Sequence, residues 1–349
     1  MSRPAEFAGL SLDRPHIMGI LNVTPDSFSD GGRFLKPERA ITQGLKLVGY
    51  GADILDIGGE STRPGAEPIT IKEELNRIVP VLKGLRGAEV PISIDTRHAE
   101  VMEVAVAEGA SIINDITALT GDPNSLATVT KLEIPVILSH MQGIPKTMQL
   151  APTYKNVVTE IYEFFTQRIS VLESCGVPLS SIAIDPGIGF GKHLSHNIEI
   201  LKQLNHFSRI KCALVLGASR KSFIGDLDDN ACFENRLGGS IASMLSGVSK
   251  GVNIVRVHDV FETRQIKFTI TNKQKHAIGF IDLFDFEPLH HRAAIGLTIS
   301  SSNRGRGYGN ASLELIEAYA KEMLQLHQLY AHVAAENQYS IQLFESQKF

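Results

Sequence analysis

The sequence predicts an α/β protein whose first 260 or so residues form a (β/α)8 TIM barrel, on three observations. Short apolar runs rich in β-branched residues recur along the chain without the polar alternation of half-exposed strands. Segments with helical spacing separate most of these runs. Glycines lie between several helical segments and the next run, where a left-handed residue ends a helix. Eight strands with crossovers favour a closed barrel, and a doubly wound open sheet of five or six strands is the alternative.

The eight predicted strands are short and almost continuously apolar, as buried parallel strands should be. They span residues 16–23, 52–57, 91–95, 111–116, 135–140, 181–185, 212–218 and 253–258. The helical pattern is clearest at residues 75–82, 158–172 and 237–248, where apolar residues recur every three or four positions. The glycines predicted to end helices are Gly51, Gly109, Gly176 and Gly251.

The barrel pattern breaks after Asp259, where an eighth helix should cover the eighth strand. Residues 266–270 instead alternate in polarity and are β-branched, as a strand is. The order that follows is a strand at 277–286, a strand at 293–300, a glycine-rich loop, a helix at 310–326, a strand at 329–335 and a helix at 339–346. We therefore expect a domain boundary near residue 262, which divides the chain into residues 1–262 and 263–349.

The composition is that of a globular protein and argues against several classes of function. Of 349 residues, 43% are hydrophobic and 21% charged, and the net charge is −4, so neither disorder nor nucleic-acid binding is expected. Three cysteines without a CxxC pair favour reduced thiols. No apolar run approaches the roughly 18 residues that span a bilayer, and the amino terminus lacks the apolar core of a signal peptide. We expect a soluble, cytoplasmic protein with no membrane partner.

Polar residues follow nearly every predicted strand, and in a TIM barrel these strand ends carry the active site. Singly, an Asp or Asn after a strand is often only a helix N-cap. As a set, the residues sort into two chemistries. Asp95, Asn114, Asp185 and Lys221 offer two carboxylates, an amide and a cation. Because buried carboxylates need donor partners, this group matches a ring with adjacent N–H donors and a carbonyl, such as a pterin or a purine.

The second group of strand-end residues indicates an anion and a metal. Arg63, Arg256 and His258 are cationic or proton-bearing, and Asn22 supplies an amide oxygen. Diphosphate with Mg²⁺ fits this group, since Mg²⁺ prefers oxygen ligands and substrate phosphates. Residues 219–222, Ser-Arg-Lys-Ser, open a predicted helix whose first N–H groups suit a further anion such as a carboxylate.

Seven segments resemble the dihydropteroate synthase family, the sulfonamide target of folate biosynthesis, and the resemblance covers residues 15 to about 262. They read MGILNVTPDSFSDGG at 18–32, DIGGESTRP at 56–64, SIDT at 93–96, IND at 113–115, DPGIGFG at 185–191, SRKSF at 219–223 and RVH at 256–258. All seven occur in order, and the first alone is highly specific.

The resemblance implies a transferase that joins 6-hydroxymethyl-7,8-dihydropterin diphosphate to 4-aminobenzoate and releases diphosphate. In it, Asp95, Asn114, Asp185 and Lys221 would hold the pterin, Arg63, Arg256 and His258 the diphosphate, and Asn22 the Mg²⁺. The aminobenzoate site, where sulfonamides compete, would be shaped by Thr62, Phe28, Pro64, Phe190 and Ser222. Loops 24–34 and 58–69 would close over the reacting groups and exclude water. The family is usually a homodimer through its last helices.

Residues 277–349 resemble part of a GNAT-type N-acetyltransferase, close to the spermidine type. The matching pieces are IGFIDLF at 278–284, NRGRGYG at 303–309 and AENQYSIQLF at 335–344. In that family the N–H groups of the Arg/Gly loop, here Arg304, Gly305, Gly307 and Gly309, cradle the coenzyme A diphosphate. The first strand, the acceptor-site helices and the last strands are missing, and Phe344 stands where many members have Tyr. We therefore expect no acetyl transfer, and either weak acetyl-CoA binding or a packing role only.

Two other interpretations stay open. A pterin-dependent methyltransferase of the same superfamily would share Asp95, Asn114 and Asp185 but would not need residues 62–64 or 219–222. The other is an inactive fusion, because the sequence changes where the eighth helix belongs. Either residues 261–271 still form that helix, or the tail covers the eighth strand, or the barrel is weakened. Dimerisation is open for the same reason.

Overall fold

The computed structural model describes residues 4–24, 37–264, 266–274, 276–287, 291–322, 324 and 326–347. The chain divides into two compact units, residues 1–260 and residues 261–349. None of the helices within the described ranges is both long enough and apolar enough to cross a bilayer.

The first unit is a closed barrel of eight parallel strands, which confirms the predicted fold class. A short antiparallel hairpin, β1 (Glu6–Phe7) and β2 (Leu10–Ser11), precedes it. The barrel strands follow one another around the ring in chain order, and the last pairs with the first. They are β3 (His16–Asn22), β4 (Ile54–Gly58), β5 (Ile92–Asp95), β6 (Ile112–Asp115), β7 (Val136–Ser139), β8 (Ile182–Asp185), β9 (Ala213–Leu216) and β10 (Ile254–Val257).

Helices connect the strands and pack on the outer face of the barrel. They are α1 (Pro37–Gly49), α2 (Ile71–Leu85), α3 (Ala99–Ala107), α4 (Ser125–Leu132), α5 (Val157–Ser174), α6 (Leu194–Lys202), α7 (Leu204–Phe207), α8 (Ser222–Leu227), α9 (Leu237–Ser249) and α10 (Val260–Arg264). The four glycines predicted to end helices all have positive φ, between 88° and 110°, as predicted.

The barrel interior has an apolar layer and, above it, a polar one. Ile54, Ile112 and Ile254 begin their strands and form a buried inner cluster with Phe7 of the hairpin. Phe7 is 1% exposed, so it closes the amino-terminal end of the barrel. Since side chains alternate between the two faces of a strand, the next inward position lies two residues further on. At that level the same three strands carry Asp56, Asn114 and Arg256.

The described residues of the second unit form a four-stranded sheet and two longer helices. β11 (Ile266–Thr271), β12 (Ala277–Glu287) and β13 (Arg292–Ile299) are antiparallel neighbours, and β14 (Gln328–Tyr330) pairs in parallel with β13. The helices are α11 (Tyr308–Glu322) and α12 (Gln338–Ser346). β14 is shorter than the strand predicted at 329–335. The eighth helix of the barrel is reduced to the single turn α10, because residues 266–271 belong to β11.

Candidate active site

The polar side chains at the carboxyl ends of the strands lie side by side in the register of the barrel. Asp95 of β5 pairs with Asn114 of β6, and Gly58 of β4 pairs with both Asp95 and Asn22 of β3. A Cβ at Gly58 would lie 3.8 Å from both Asn22 Oδ1 and Asp95 Oδ2. The glycine therefore leaves a space that these two polar side chains border. Further round the barrel, Asp185 pairs with Ser139.

Arg256 of β10 joins two buried carboxylates at this end of the barrel. Its Nε donates to Asp56 Oδ2 at 2.5 Å, and its Nη2 donates to Asp95 Oδ2 at 2.7 Å. Asn114 Nδ2 donates to Asp56 Oδ2 at 3.2 Å. Arg256 is predicted to bind the anion together with Arg63, but in the structure it bonds directly to Asp95, which is predicted to bind the ring. The residues predicted to bind the ring and those predicted to bind the anion are therefore connected through the guanidinium of Arg256.

Burial determines the protonation of this network. It raises the pKa of Asp95 to about 7, with Arg256 opposing the shift and Asp56 adding to it. Burial acts to lower the pKa of Arg256, but the charges of Asp56 and Asp95 outweigh this, and the pKa is raised. Asp95 Oδ1 is buried and has no hydrogen-bond partner in the described part of the chain. A donor on a bound molecule would satisfy it.

Asp185 and Lys221 border the glycine-rich loop that follows β8. Gly187 donates its N–H to Asp185 Oδ1 at 2.8 Å. Lys221 Nζ donates to Ile188 O at 2.6 Å and lies 3.7 Å from the centre of the Phe190 ring. Burial lowers the pKa of Lys221 to about 8 and raises the pKa of Asp185, while the charge of each opposes the shift of the other. Lys221 therefore keeps donor hydrogens near neutral pH.

Lys192 is a buried amine that is not among the residues predicted from sequence. It is 2% exposed, and its Nζ donates to the carbonyl oxygens of Gly187, Phe190 and His140 at 2.9, 3.0 and 3.2 Å. Its Nζ also lies 3.0 Å from His140 Nδ1. Burial lowers the pKa values of both Lys192 and His140, so a neutral imidazole with Nδ1 as acceptor fits this contact. Lys192 thereby fixes the loop that carries Phe190.

Arg63 and His258 lie on different segments, and both contact the ring of Phe233. Arg63 Cζ is 5.6 Å from the ring centre, and the His258 ring meets Phe233 edge-on with 5.7 Å between centroids. His258 Nδ1 lies 3.1 Å from Ser219 Oγ. Burial, and then the charge of Arg256, lower the pKa of His258 to about 4. The imidazole is therefore neutral at pH 7.

The residues predicted for the aminobenzoate site come from several segments. Phe190 lies against Lys221, and Ser222 is the first residue of α8. Thr62 and Pro64 belong to the loop 58–69, and Phe28 lies outside the described residues.

The loop 58–69 is bonded to the segment that follows β7. Gly65 donates its N–H to Pro145 O at 3.0 Å, and Glu67 forms an ion pair with Lys146 at 2.8 Å. Both contacts lie on the exposed part of the loop, so they contribute little to stability. The predicted closure of loops 24–34 and 58–69 stays a prediction.

Asn22 is the residue predicted to hold a metal. Within the described ranges, no three His, Cys, Asp or Glu side chains are grouped as metal ligands. A Mg²⁺ bound largely by diphosphate oxygens and water does not need such a group, since one or two protein oxygens suffice. Asn22 Oδ1, which borders the space beside Gly58, is a hard oxygen donor that fits this role.

The predicted coenzyme A loop lies in the second unit, before α11. Arg304 Nε donates to Ile299 O at 3.0 Å. Gly305 and Gly307 have φ values of +71° and +80°, and no atom lies within 4 Å of the position of a Cβ on either. Gly309 is the second residue of α11. The loop is an open glycine turn at a helix start, the form that binds anions in other proteins.

Asp56 is the buried carboxylate that the sequence analysis left out of the site. It lies near the end of an apolar run, and its distance of two residues from Gly58 puts both on the inward face. A charged residue within a buried strand is a signal that could have identified it, because such a group needs a partner. Its partner Arg256 is 200 positions away and becomes a neighbour only when the barrel closes.

Comparisons with known proteins identify relatives for both parts of the chain. The family model described as pterin binding enzyme matches residues 18–258, and the acetyltransferase (GNAT) domain model matches residues 253–349. The dihydropteroate synthase of Escherichia coli strain K12 is 44% identical over 275 residues, which cover 77% of this chain and 97% of the relative. That of Haemophilus influenzae is 46% identical over 255 residues, which cover 73% of this chain and 92% of the relative.

Solved structures match the chain at similar identity. The dihydropteroate synthase of Xanthomonas albilineans with 4-aminobenzoic acid matches with a TM-score of 0.70 and 44% identity, over 75% of this chain and 95% of that chain. The same enzyme in complex with 7,8-dihydropteroate has a TM-score of 0.66 and 42% identity, over 73% and 91%. The Yersinia pestis enzyme with a sulfonamide drug has a TM-score of 0.69 and 43% identity, over 73% and 93%.

Proposed function

The chain belongs to the dihydropteroate synthase family and is a transferase of folate biosynthesis, and from that premise we propose which of its side chains serve each substrate. The reaction joins 6-hydroxymethyl-7,8-dihydropterin diphosphate to 4-aminobenzoate and gives 7,8-dihydropteroate and diphosphate. The predicted fold class and transferase activity are thereby confirmed, and the residue roles are our proposal.

The observation that carries the proposal is the buried network of Asp56, Arg256 and Asp95, in which Asp95 Oδ1 has no hydrogen-bond partner among the described residues. A pterin ring presents N–H donors next to a carbonyl, and one of these donors would complete the hydrogen bonding of Asp95. We assign Asp95 and Asn114 to one side of the ring. The pair Asp185 and Lys221 would hold the other side, with Lys221 as donor to the ring carbonyl.

Arg63, Arg256 and His258 would hold the diphosphate. Among the described residues Arg256 uses Nε and Nη2 for Asp56 and Asp95, and Nη1 would bind the anion. His258, being neutral at pH 7, would act as a hydrogen-bond donor through Nε2 rather than as a cation. Arg63 is exposed and would supply positive charge from the loop 58–69.

The 4-aminobenzoate would lie between the loops. Phe190, held by Lys192 and Lys221, would offer its ring to the aromatic substrate. Thr62, Pro64, Ser222 and Phe28 would complete the site, where sulfonamides would compete.

We propose that Asn22 holds Mg²⁺ together with the diphosphate oxygens. When bound, the ion supplies positive charge that stabilises the leaving group.

In the chemical step the C–O bond between methylene and diphosphate breaks and its electron pair leaves with the diphosphate. The arylamine nitrogen then forms a C–N bond to the methylene and loses a proton, which the diphosphate oxygens would accept. The leaving diphosphate is stabilised by Arg63 and Arg256, whose positions are set before the reaction. The positive charge left on the pterin methylene would be tolerated because the proposed ring site is bordered by Asp95 and Asp185. An arylamine is already nucleophilic, so no strong base is required. Closure of loops 24–34 and 58–69 would exclude the water that otherwise traps the cation.

Diphosphate release from the pterin diphosphate tests the proposal, measured in the full, folded chain with and without 4-aminobenzoate. Release that requires the arylamine supports the synthase reaction, and no release would favour an inactive fusion. Release without the arylamine would contradict the closed, water-free site. Arg256→Ala should abolish turnover. If this variant released diphosphate as fast as the unmodified chain, the assignment of Arg256 to the diphosphate would be wrong.

The domain assignment of the second part of the chain rests on its match to a different family model. We propose that residues 1–262 act as the synthase domain and residues 263–349 as a separate, partial acetyltransferase-like domain. The support is the match of the GNAT model to residues 253–349 and the compact unit at 261–349. Weak acetyl-CoA binding by this domain, a homodimer and a cytoplasmic location stay predictions.

A further inference from the structure

Phe233 is an aromatic residue outside the predicted site on which three basic side chains meet. It begins a short 3-10 turn, Phe233–Arg236, and is 38% exposed. Arg63 Cζ and Arg220 Cζ lie 5.6 and 5.1 Å from the ring centre. The His258 ring meets it at 83°, with 5.7 Å between centroids. Residues from the segments after β4, β9 and β10 are thus joined through one ring.

Arg220 fixes Phe233 in place. Its Nε and Nη2 each donate to the Asp259 carboxylate at 2.7 Å, and its Nη1 donates to Phe233 O at 3.0 Å. The backbone of Arg220 is itself held, because its N–H donates to Ser240 Oγ and its carbonyl accepts from Arg236. With its charge compensated by Asp259, Arg220 is a support for the ring rather than an anion ligand.

Arg63 contacts the same ring, but among the described residues its charge is not compensated in the way that Asp259 compensates the charge of Arg220. Its side chain is exposed and lies on the Phe233 ring, and within the described ranges it forms no ion pair with a carboxylate. A cation–π contact orients a guanidinium without neutralising it, because the ring has no net charge. A carboxylate at position 233 would also orient Arg63, but it would cancel the charge that an anion requires.

We propose that Phe233 is a positioning residue that orients Arg63 and His258 toward the diphosphate group of the substrate. The proposal rests on the proposed assignment of these two residues to the diphosphate. It makes residue 233, which is not among the residues assigned to a substrate, a determinant of diphosphate affinity.

Phe233→Leu tests the proposal, because it keeps an apolar side chain and removes the aromatic face. In the full chain, inorganic diphosphate with Mg²⁺ should inhibit this variant roughly threefold to tenfold more weakly. The KM for pterin diphosphate should rise in parallel, while the KM for 4-aminobenzoate stays within about twofold. Phe233→Tyr, which keeps the ring, should restore both values. Unchanged inhibition by diphosphate, or equal changes for both substrates, would overturn the proposal.

Arg63→Ala separates this proposal from the assignment on which it rests. If Arg63→Ala leaves diphosphate inhibition unchanged, the assignment of Arg63 fails, whatever Phe233→Leu does. If Arg63→Ala weakens inhibition and Phe233→Leu does not, the assignment stands and the role of Phe233 fails. If Phe233 acts through Arg63 and His258, Phe233→Leu should add nothing in the Arg63→Ala/His258→Ala background.

A fluorescence reporter provides a second measurement that does not depend on turnover. The chain has no tryptophan, so Phe233→Trp introduces a single fluorophore that keeps an aromatic face. Its emission should change when diphosphate and Mg²⁺ are added and should not change with 4-aminobenzoate alone. If the emission did not change when diphosphate was added, the ring at position 233 would not be coupled to the side chains that bind the anion, and the proposal would be wrong.

Discussion

At the scale of the residue, Arg256 carries most of the charge compensation in the site. It lies between Asp56, which is fully buried, and Asp95, which is 7% exposed. Removing one member of a buried ion pair leaves an uncompensated charge, which costs far more than the loss of the same contact at the surface. The stability of the barrel and the shape of the proposed pterin site therefore depend on the same guanidinium.

Arg256→Met should lower the free energy of unfolding by roughly 3–5 kcal/mol, because two buried carboxylates lose their partner. Arg86→Met is the matched control, since Arg86 forms an ion pair of similar length, 2.8 Å to Glu108, with a side chain that is 61% exposed. The control should cost about 1 kcal/mol or less. Urea unfolding of the two variants gives the comparison, and equal losses would contradict the explanation.

Asp95 gives the stability a characteristic pH dependence. Burial raises its pKa from 3.8 to about 7 in the folded protein. A carboxyl group with a raised folded pKa contributes stability that is fully present below its unfolded pKa and is lost as the pH rises through the folded value. The melting temperature of Asp95→Asn, relative to that of the unmodified chain, should therefore rise as the pH increases from about 4 to about 7.

Asp122→Asn is the control for this pH series. Backbone hydrogen bonds from Asn124 and Ala99 lower the pKa of Asp122 from 3.8, so it titrates below the range of interest. Its melting temperature, relative to that of the unmodified chain, should stay constant over that range. A constant difference for Asp95→Asn as well would show that Asp95 is already ionised in the ligand-free protein.

At the scale of the element, the loop after β8 shows how packing and hydrogen bonds hold a glycine-rich segment in a single backbone conformation. Gly187, Gly189 and Gly191 all have positive φ, between 61° and 80°. A Cβ at Gly187 would overlap the carbonyl oxygen of His140. The loop therefore packs backbone against backbone on the segment after β7, and Lys192 bonds to both.

Gly187→Ala should cost much more stability than Gly176→Ala, although both positions have similar φ values of +71° and +88°. Both changes impose a left-handed strain of about 1–2 kcal/mol. Only at Gly187 does the new Cβ meet another atom, because nothing lies within 4 Å at Gly176. The melting temperature should fall in both variants but much further in Gly187→Ala, and kcat/KM for 4-aminobenzoate should fall only in Gly187→Ala. Equal effects of the two changes would reject steric contact as the cause.

The elements were predictable from sequence where local physics determines them. All eight barrel strands lie within two residues of their predicted bounds, because buried strands are apolar runs regardless of their neighbours. The hairpin β1–β2 was missed because two-residue strands show no alternation. The burial of Lys192 could not be predicted because three of its contacts are backbone carbonyl oxygens, which are present in every residue. The partners of Arg256 depend on the closure of the barrel.

At the scale of the whole molecule, the residues proposed for the synthase reaction and the predicted coenzyme A loop lie in different units. The described residues assigned to the synthase reaction lie between Asn22 and His258, in the first unit, and the Arg/Gly loop lies in the second. Arg256 and His258 belong to the strand end that only the single turn α10 follows. Because Arg256 is bonded to Asp56 and Asp95 of other strands, its position is determined by the barrel interior rather than by the helix that follows.

Changes in the Arg/Gly loop should therefore leave the synthase reaction unaffected. Gly305→Val and Gly307→Val together strain a loop in which both residues have positive φ, because β-branched residues rarely adopt it. The kcat and both KM values of the synthase reaction should stay within about twofold. Any acetyl-CoA binding detected by calorimetry should be lost, whereas Arg63→Ala should impair the synthase and leave that binding unchanged. Slower diphosphate release by a folded double variant would show instead that the second unit supports the active site of the first.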